Sequence, residues 1–308
     1  MSVAAPSRQD QFNPKLFLFD PAQSYPWLVF PQVTVATITF NRLEYTRRML
    51  ESLERYGQMP YELLVIDNAS EDGTREFLAE LAAQRPNLRV VHNRRNIGKG
   101  RALLQIRDML EDGLLVFLDN DVELLSNYWL IHLQKAYHAA RLVLGTADVG
   151  LGPRLLNCEE YGFRFVHRHE VMPIPTARNA EPRTSYAAYS KDGSAYGQML
   201  DEEVIIGWTD FLHGPIMCMP AALFRRVRLE TMYPVAIGSE DGFVSEELHR
   251  LGVQLGYIVN GPVARHNDWP YTEEKIALYE RLTRQRAVTD LPYIRWKLQH
   301  TWSRLKRR

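Results

Sequence analysis

The sequence has few cysteines, no excess of charge of either sign and no long apolar run. Two cysteines, Cys158 and Cys218, in 308 residues are typical of a reduced chain rather than of a disulfide-stabilised scaffold. The 37 basic residues equal the 37 acidic ones, so the basic excess that usually marks nucleic-acid-binding proteins is missing. No stretch approaches the ~20 apolar residues that a membrane-spanning helix needs. We therefore expect no nucleic-acid partner and no membrane span.

The composition and the first residues place further limits on the chain. Hydrophobic residues make up 45% and aromatic residues 11% of the sequence, which is ordinary for a globular protein with a sizeable core. A length of 308 residues allows one large domain or two small ones. The segment from Met1 to Gln11 lacks a cationic start followed by an apolar core, so we expect no signal peptide. Together these features predict a cytoplasmic globular protein.

Short apolar or β-branched segments alternate with amphipathic segments through the first half of the chain. The segments Val33–Thr39, Leu63–Ile66, Leu88–Val91 and Leu114–Leu118 have the composition of buried strands. Apolar residues spaced as on one face of a helix follow the first of them, and Asn41 is a candidate N-cap of that helix. Strands that alternate with helices predict βαβ units and a parallel sheet covered by helices. The predicted fold class is therefore α/β.

Two carboxylates follow the fourth predicted strand. Asp119 and Asp121 are separated by one residue, and side chains alternate along a strand, so both emerge on the same side. Ligands of open α/β sheets collect where strands end at their carboxyl edge. Two hard oxygen ligands at that edge suit Mg²⁺ or Mn²⁺ bridging to a diphosphate. An N-cap that opens a helix is the alternative reading of either aspartate.

Polar residues also follow the other predicted strands of the first half. The pairs Asn41-Arg42 and Asp67-Asn68 come after the first two strands, and the turn from Asn96 to Lys99 comes after the third. Four polar strand ends at one sheet edge predict a single polar crevice. Beyond residue 123 the pattern is less regular, with helices predicted at Ser126–Arg141 and Gly242–Leu251 and short strands between them.

An ordered set of motifs runs through this crevice: Thr39-Phe40-Asn41-Arg42, the segment from Val65 to Thr74, the segment from Asn93 to Gly100, and Phe117 to Asp121. The set resembles the GT-A fold glycosyltransferases, in particular the inverting family 2 type, whose DXD signature matches Asp119-Asn120-Asp121. The resemblance covers roughly residues 31–270. It implies a GT-A α/β fold, with a mostly parallel sheet flanked by helices and a smaller sheet on the acceptor side.

The resemblance also divides the chain. It implies an extension at residues 1–30, a nucleotide-sugar-binding half at 31–123, an acceptor-binding and catalytic half of the same domain at 124–270, and a basic helical tail at 271–308.

The resemblance implies roles for the donor side of the crevice. Asp67 would accept a hydrogen bond from the base, typically uracil, and Asp119 would lie on the ribose or in the water shell of the metal. The other predicted nucleotide-sugar contacts are Thr39, Asn41, Arg42, Asn96, Gly98, Lys99 and Asn120. Simpler readings stay open: Asn41 caps a helix, Asp67 orders its own turn, Gly98 serves backbone geometry and Lys99 is solvated.

A divalent cation, Mn²⁺ or Mg²⁺, is the cofactor that the resemblance implies. Asp121 would be the direct metal ligand and Asp119 a second ligand. His266 fits the position at which many GT-A enzymes place a third ligand, and imidazole is acceptable to Mn²⁺. A structural histidine is the alternative for His266.

The resemblance places the acceptor chemistry in the second half. Asp241 would be the general base that takes the proton of the acceptor hydroxyl, and Glu240 would orient the acceptor or the donor sugar. Trp208, Asp210 and His213 would contact sugars. Helix capping is the alternative for the two acids, and a core position is the alternative for Trp208.

The expected activity is metal-dependent, inverting transfer of a sugar from a nucleotide-diphospho-sugar to a hydroxyl acceptor, with a UDP-linked sugar as the expected donor. A nucleotidyltransferase would want a glycine-rich loop after the first strand, where this chain has Thr39 to Arg42. A non-catalytic sugar- or nucleotide-binding module is the third hypothesis, and Asp121 and Asp241 speak against it. Glycan, lipid-linked, natural-product and protein acceptors all remain open.

Two features depart from the resemblance or extend it. The helix after Asp241 carries Glu246-Glu247 where the common pattern has an arginine, and residues 157–203 contain no motif that we can match. The tail has aromatic and basic residues in an amphipathic order, including Trp296, Trp302 and Arg304. Such a helix either lies on the anionic inner face of a membrane or packs on the domain.

Overall fold

The computed structural model describes residues 24–25, 27–157, 166–173, 187–189, 195–198, 203–232, 240–268 and 273. The predicted extension at 1–30 and tail at 271–308 lie almost entirely outside these residues, as do Cys158 and most of the segment 157–203. The predicted division of the chain into four parts stays a prediction.

Fourteen strands are present in the described residues. In chain order they are β1 (Val33–Thr39), β2 (Glu62–Asp67), β3 (Leu88–His92), β4 (Leu114–Asp119), β5 (Val122–Leu124), β6 (Val149–Gly152), β7 (Arg154–Leu155), β8 (Val166–Pro173), β9 (Ala187–Tyr189), β10 (Ala195–Gln198), β11 (Glu203–Thr209), β12 (Ile216–Pro220), β13 (Gln254–Ile258) and β14 (Val263–His266).

Six α-helices and one short 3-10 helix (Leu229–Thr231) accompany the strands in the described part. The helices are α1 (Leu43–Tyr56), α2 (Thr74–Gln84), α3 (Lys99–Met109), α4 (Trp129–Leu144), α5 (Ala221–Phe224) and α6 (Glu240–Arg250). Within the same residues, none of the helices has both the length and the apolar character needed to cross a lipid bilayer.

Most predicted elements of the first half agree with these bounds except at their terminal residues, because long buried apolar runs carry a strong signal. Two predictions of helix starts were wrong. The helix expected from Ser126 begins about one turn later, at Trp129. Asn41 does not cap α1, because the cap position is Arg42, and both residues have left-handed backbones with φ of 57° and 66°.

A nine-stranded sheet forms the centre of the molecule, in the order β3-β2-β1-β4-β12-β6-β13-β11-β8. The strands from β3 to β4 are parallel, as the βαβ pattern predicts, while β12 pairs with β4 in the antiparallel sense. A smaller sheet has the order β5-β14-β7. The predicted α/β class, with a large sheet flanked by helices and a second, smaller sheet, is confirmed.

Both faces of the central sheet are covered by apolar side chains. One cluster includes Met49 of α1 and Trp129 of α4 with Val35 of β1. The other includes Leu103 of α3 and Val244 of α6. Because neighbouring residues of a strand point to opposite faces, this double coverage explains why the central strands are continuous apolar runs.

Candidate active site

The register of the parallel strands brings their polar ends to one edge of the sheet. Thr39 pairs with Asp67 across β1 and β2, and Ile38 pairs with Asp119 across β1 and β4. The first residue of β12, Ile216, pairs with Leu118, so the loop before β12 reaches the same edge. The register therefore brings the polar strand ends together at one edge of the sheet, as the sequence predicts.

Asp67 is fully buried, and both of its carboxylate oxygens have partners within the protein. Oδ1 accepts a hydrogen bond from the Ser70 amide at 2.9 Å, and Oδ2 lies 2.9 Å from Nδ1 of His92. The turn-ordering reading of Asp67 is thus what the contacts show. Its hydrogen bond to a nucleobase stays a prediction.

Asn41 joins the turn after β1 to the turn after β2. Its amide donates to Oγ of Ser70 at 2.8 Å, and its Oδ1 accepts from the amide of Glu71 at 2.8 Å. These bonds hold a left-handed backbone that a residue other than glycine adopts only under constraint. The constraint orients the next residue, Arg42, towards the site.

Thr39 and Asn120 point into the protein rather than into the crevice. The Thr39 hydroxyl lies 2.9 Å from Oγ1 of Thr46, and Nδ2 of Asn120 donates to both hydroxyls at 3.3 and 3.2 Å. All three side chains are buried. Their contacts indicate support for the strand ends, and their predicted contact with the nucleotide has no support in this geometry.

Asn96 and Gly98 shape the turn that begins α3. Oδ1 of Asn96 accepts from Nδ2 of Asn68 at 2.8 Å and from the amide of Gly98 at 2.9 Å. Gly98 has φ of 82°, a conformation that favours glycine. The backbone-geometry reading of Gly98 is therefore supported, and the turn places Lys99 as the first residue of α3.

Lys99 connects the two halves of the site. Its Nζ lies 2.7 Å from Oδ1 of Asp119 and 2.5 Å from Oε1 of Glu240. Burial alone would lower the pKa of Lys99, but the charges of Asp119 and Glu240 outweigh burial and raise it. Burial is also the largest cause that raises the pKa of Asp119. The reading of Lys99 as a solvated side chain is wrong.

A carboxylate and an imidazole meet beside the end of β4. Nε2 of His266 lies 3.3 Å from Oδ1 of Asp121, and both side chains are buried. The smaller sheet creates this contact, since β14 pairs with β5 so that His266 faces Val122, the residue after Asp121. The amide of Asn267 donates to the carbonyl of Asp121 at 2.8 Å, which holds the two segments together.

An arginine and a second aspartate complete this corner of the site. Nη1 of Arg42 lies 2.9 Å from Oδ2 of Asp121, and Nη2 lies 2.5 Å from Oδ2 of Asp268. Asp268 was not singled out from the sequence, although it lies two residues after His266. Spacing from His266 was the only signal that could have indicated it.

The predicted set of three metal ligands is only partly assembled. Within the described residues, no group of three His, Cys, Asp or Glu side chains is arranged to hold a metal ion. Oδ1 of Asp119 accepts a hydrogen bond from Nζ of Lys99 at 2.7 Å, and the role of Asp119 as a metal ligand stays a prediction. The buried oxygen and nitrogen atoms of Asp121 and His266 do fit a divalent cation such as Mn²⁺.

Asp241 lies in the first turn of α6, and two backbone amides face its carboxylate. Gly242 donates to Oδ1 at 2.8 Å and Gly214 to Oδ2 at 3.3 Å. Burial, followed by the negative charge of Glu240, raises the pKa of Asp241 to about 7. A carboxyl group with a pKa near neutrality is suited to proton transfer. The capping reading is also met, since both acids lie in the first turn of the helix.

The three predicted sugar contacts of the second half differ in position. Trp208 is 2% exposed and its Nε1 donates to Oε2 of Glu170 at 2.8 Å, so the predicted stacking on a sugar is wrong and the core reading holds. Asp210 is exposed, and its carbonyl lies 2.8 Å from Nε2 of His249. His213 is buried, with its ring 6.5 Å from that of His266.

His213 is held in its neutral form. Burial, followed by the nearby His266 and Lys99, lowers the pKa of His213 to about 3. A neutral imidazole both donates and accepts hydrogen bonds. Of the three predicted sugar contacts, His213 lies next to the Asp121–His266 corner, since its ring is 6.5 Å from that of His266.

Comparisons with known proteins agree with the fold and the strand-end motifs. The family model described as Glycosyl transferase family 2 matches residues 34–199, which is more than half of the chain. The glycosyltransferase AglE of Haloferax volcanii is 29% identical over 93 residues, which are 30% of this chain and 31% of that protein. A dolichyl-phosphate beta-glucosyltransferase, ALG5A of Trichomonas vaginalis, is 29% identical over 105 residues, 34% of this chain and 32% of that protein. The matched part is thus about a third of these relatives.

Two solved structures have the same fold. The mannosyltransferase PcManGT from Pyrobaculum calidifontis, in complex with GDP-Man and Mn²⁺, superposes with a TM-score of 0.53 at 19% identity, over 85% of this chain and 62% of that one. GalNAc-T7 with UDP, GalNAc and Mn²⁺ gives a TM-score of 0.52 at 13% identity, over 82% of this chain and 48% of that one. The fold is therefore that of GT-A enzymes, and the chain belongs to glycosyl transferase family 2.

Proposed function

We propose that the chain is a metal-dependent, inverting glycosyltransferase that uses a nucleotide-diphospho-sugar donor and a hydroxyl acceptor. One observation carries the proposal. A carboxyl group with a pKa raised to about 7, that of Asp241, lies next to Glu240, which Lys99 links to Asp119 at the end of β4. These contacts support a connected site that combines a general base with a donor-binding edge.

Asp241 is the proposed general base. Its carboxylate takes the proton of the acceptor hydroxyl while that oxygen attacks the anomeric carbon of the donor sugar. A single carboxylate suffices for this displacement, which inverts the configuration because attack is opposite the departing diphosphate. The amides of Gly214 and Gly242 hold the carboxylate in place, and Glu240, neutralised by Lys99, is the group placed to orient a sugar hydroxyl.

Asp121 and His266 are the proposed holders of the divalent cation. The cation supplies positive charge to the leaving diphosphate when it is bound. The two solved structures named above contain Mn²⁺, which makes Mn²⁺ the first ion to test.

The donor is proposed to be linked to a nucleoside diphosphate, with UDP as the first candidate. GalNAc-T7 is seen with UDP, whereas PcManGT is seen with GDP-Man, so both nucleotides belong in a test. The ring of Phe40, which is 44% exposed at the end of β1, offers a face on which a nucleobase can stack.

Binding of nucleotide sugars is the direct test of the donor. UDP-glucose, UDP-GlcNAc, UDP-GalNAc and GDP-mannose are titrated calorimetrically with and without Mn²⁺. We expect one of them to bind with an affinity that Mn²⁺ improves by about tenfold or more, which corresponds to about 1.4 kcal/mol. Absence of binding across the panel in the presence of Mn²⁺ contradicts the proposal.

Two substitutions separate the base from the metal site. With the best-bound donor, Asp241→Asn should reduce donor hydrolysis by about a hundredfold or more while donor affinity stays within a few fold. Asp121→Ala should reduce both the rate of donor hydrolysis and the affinity for the donor. Asp148→Asn, which changes an exposed carboxylate just before β6, is the matched control and should alter neither. Undiminished turnover of Asp241→Asn removes that residue from the base role.

The acceptor and the cellular location are further parts of the proposal. The acceptor is a glycan, a lipid-linked glycan, a natural product or a protein. A cytoplasmic location, with the basic tail on the inner face of the membrane, rests on sequence composition, since the tail lies outside the described residues. Vesicles with anionic and with neutral lipids distinguish a bound tail from a packed one.

A further inference from the structure

Arg42 occupies an unusual position in the proposed metal site. Its guanidinium bridges two carboxylates, with Nη1 2.9 Å from Asp121 and Nη2 2.5 Å from Asp268. The Asp121 side chain is 5% exposed, that of Asp268 17% and that of Arg42 35%. A cation therefore already lies on the carboxylate that would hold the metal.

The surrounding structure fixes Arg42 in this place. Its backbone has φ of 66° and that of Asn41 has φ of 57°, and the Ser70 and Glu71 contacts of Asn41 maintain this conformation. The guanidinium carbon also lies 4.6 Å from the centre of the Tyr45 ring, within cation–π range. Left-handed residues of this kind raise the energy of a chain, and they persist where a site requires them.

The two oxygens of Asp121 face different partners. Oδ1 lies 3.3 Å from Nε2 of His266, and Oδ2 lies 2.9 Å from Arg42. A divalent cation on Asp121 and His266 brings two positive charges next to the guanidinium. At such distances like charges repel strongly in a partly buried site, so the guanidinium has to withdraw from Asp121.

We propose that Arg42 is a resident counter-ion of Asp121 which a divalent cation displaces, and that Asp268 keeps the displaced guanidinium inside the site. This inference rests on the proposed metal dependence. Without metal, Arg42 neutralises a buried carboxylate that would otherwise be costly. With metal, Arg42 remains on Asp268 and becomes available to the negatively charged diphosphate, for which a planar guanidinium is well suited.

The exchange predicts effects of opposite sign on metal affinity. Arg42→Gln removes the competitor and should tighten Mn²⁺ binding in the absence of nucleotide by about 3- to 10-fold. Asp268→Asn removes the second anchor, which leaves Arg42 on Asp121 alone, and should weaken Mn²⁺ binding by a similar factor. In the Arg42→Gln background, Asp268→Asn should have little further effect, because its influence passes through Arg42.

The experiment measures Mn²⁺ binding to the nucleotide-free full chain by electron paramagnetic resonance of free Mn²⁺, for the wild type, the two single variants and the double variant. Arg48→Gln is the matched control, since Arg48 lies in α1, which follows Arg42, and pairs with Glu44 on the surface; it should leave Mn²⁺ binding unchanged. Arg42→Asn repeats the test with a residue type that tolerates a left-handed backbone, should Arg42→Gln fold poorly.

The outcomes separate this inference from the proposed function. Wild-type protein that binds Mn²⁺ as tightly as the Arg42→Gln variant overturns the exchange and leaves metal-dependent transfer standing. An undiminished loss from Asp268→Asn in the Arg42→Gln background makes Asp268 a direct ligand, which also overturns it. If the wild-type protein binds no Mn²⁺, both the exchange and the proposed metal dependence are overturned. A fourth measurement supports the exchange directly: Arg42→Gln should tighten Mn²⁺ binding while weakening UDP binding in its presence.

Discussion

Gly214 keeps the carboxylate of the proposed base in place by having no side chain. A Cβ atom at this position would lie 3.0 Å from Oδ2 and 3.2 Å from Cβ of Asp241. The amide of the same residue donates to Oδ2. The loop before β12 thus touches the base through its backbone, and any side chain there displaces the group that it should hold.

We expect Gly214→Ala to lower donor hydrolysis by about 10- to 100-fold, since small displacements of a catalytic group have effects of this order. Donor affinity should change little. Gly145→Ala is the control, because Gly145 has open space around it and φ of 73°: it should lose about 1 kcal/mol of stability and no activity. Full donor-hydrolysis activity of Gly214→Ala would contradict a role of the close contact between Gly214 and Asp241 in holding the base.

The raised pKa of Asp241 also predicts a pH dependence. The base acts in its ionised form, so kcat/KM for donor hydrolysis should rise with pH and level off above a midpoint near 7. Asp241→Asn should leave a residual rate without this rise. A midpoint near the ordinary value of an aspartate, about 4, contradicts the assignment.

Stability should change with pH in the opposite direction to activity. The folded protein binds the Asp241 proton more tightly than the unfolded chain, so the stabilisation by this group is present below about pH 4 and is lost as pH rises through 7. At about pH 8 the free energy of unfolding of Asp241→Asn, measured by denaturant titration, should therefore exceed that of the wild type by roughly 1–3 kcal/mol. The difference should shrink at about pH 5. Equal differences at both pH values contradict this linkage.

At the scale of elements, the smaller sheet positions the His266 imidazole of the proposed metal site. The side chain of Asn157 extends that sheet beside His266: its Nδ2 donates to the His266 carbonyl at 2.6 Å, and its Oδ1 accepts from the His266 amide at 3.0 Å. A side-chain amide thereby makes the pair of bonds that a neighbouring strand would make. The end of β14 is held on both sides, by β5 and by Asn157.

Asn157→Ala should lower the free energy of unfolding by about 1–3 kcal/mol, because two partly buried backbone groups lose their partner, and should weaken Mn²⁺ binding several fold. Asn87→Ala is the matched control. Asn87 donates to the carbonyl of Tyr61 at 3.0 Å, before β2 and away from the site, so its loss should reduce stability without changing Mn²⁺ affinity. Denaturant titration and calorimetry measure the two quantities. Unchanged metal binding in Asn157→Ala detaches His266 from the metal site.

Elements that bury long apolar runs could be predicted from the sequence, and contacts between distant side chains could not. The strand β4, which ends at Asp119, follows from composition and period alone, and Asp121 lies in the turn after it. One of the two partners of Lys99, by contrast, is Glu240, which periodicity cannot indicate because it lies in the other half of the chain. The left-handed backbone at Asn41 defeated the capping rule, because the side-chain oxygen of Asn41 is used by Glu71 and not by α1.

At the scale of the whole molecule, the partly buried ion cluster around Lys99 joins the first half of the chain to the second. Lys99 begins α3, whereas Glu240 begins α6, and Asp119 ends β4. The cluster brings two acids together around one cation in a site with few exposed atoms. Breaking such a cluster by removing the cation leaves uncompensated buried charges, which costs far more than loss of a surface ion pair.

Lys99→Met should therefore lower the free energy of unfolding by about 3–5 kcal/mol at about pH 8. The loss should affect both halves of the chain, because Lys99 pairs with one acid from each. The loss should shrink as the pH falls, because burial raises the pKa of Asp119 and this carboxylate can then take up a proton and lose its charge. The double variant Lys99→Met/Glu240→Gln carries one buried charge fewer and should recover part of the stability. Denaturant unfolding at about pH 8 and at a lower pH tests this prediction. A small, pH-independent loss of stability for Lys99→Met would mean that the cluster does not hold the two halves of the chain together.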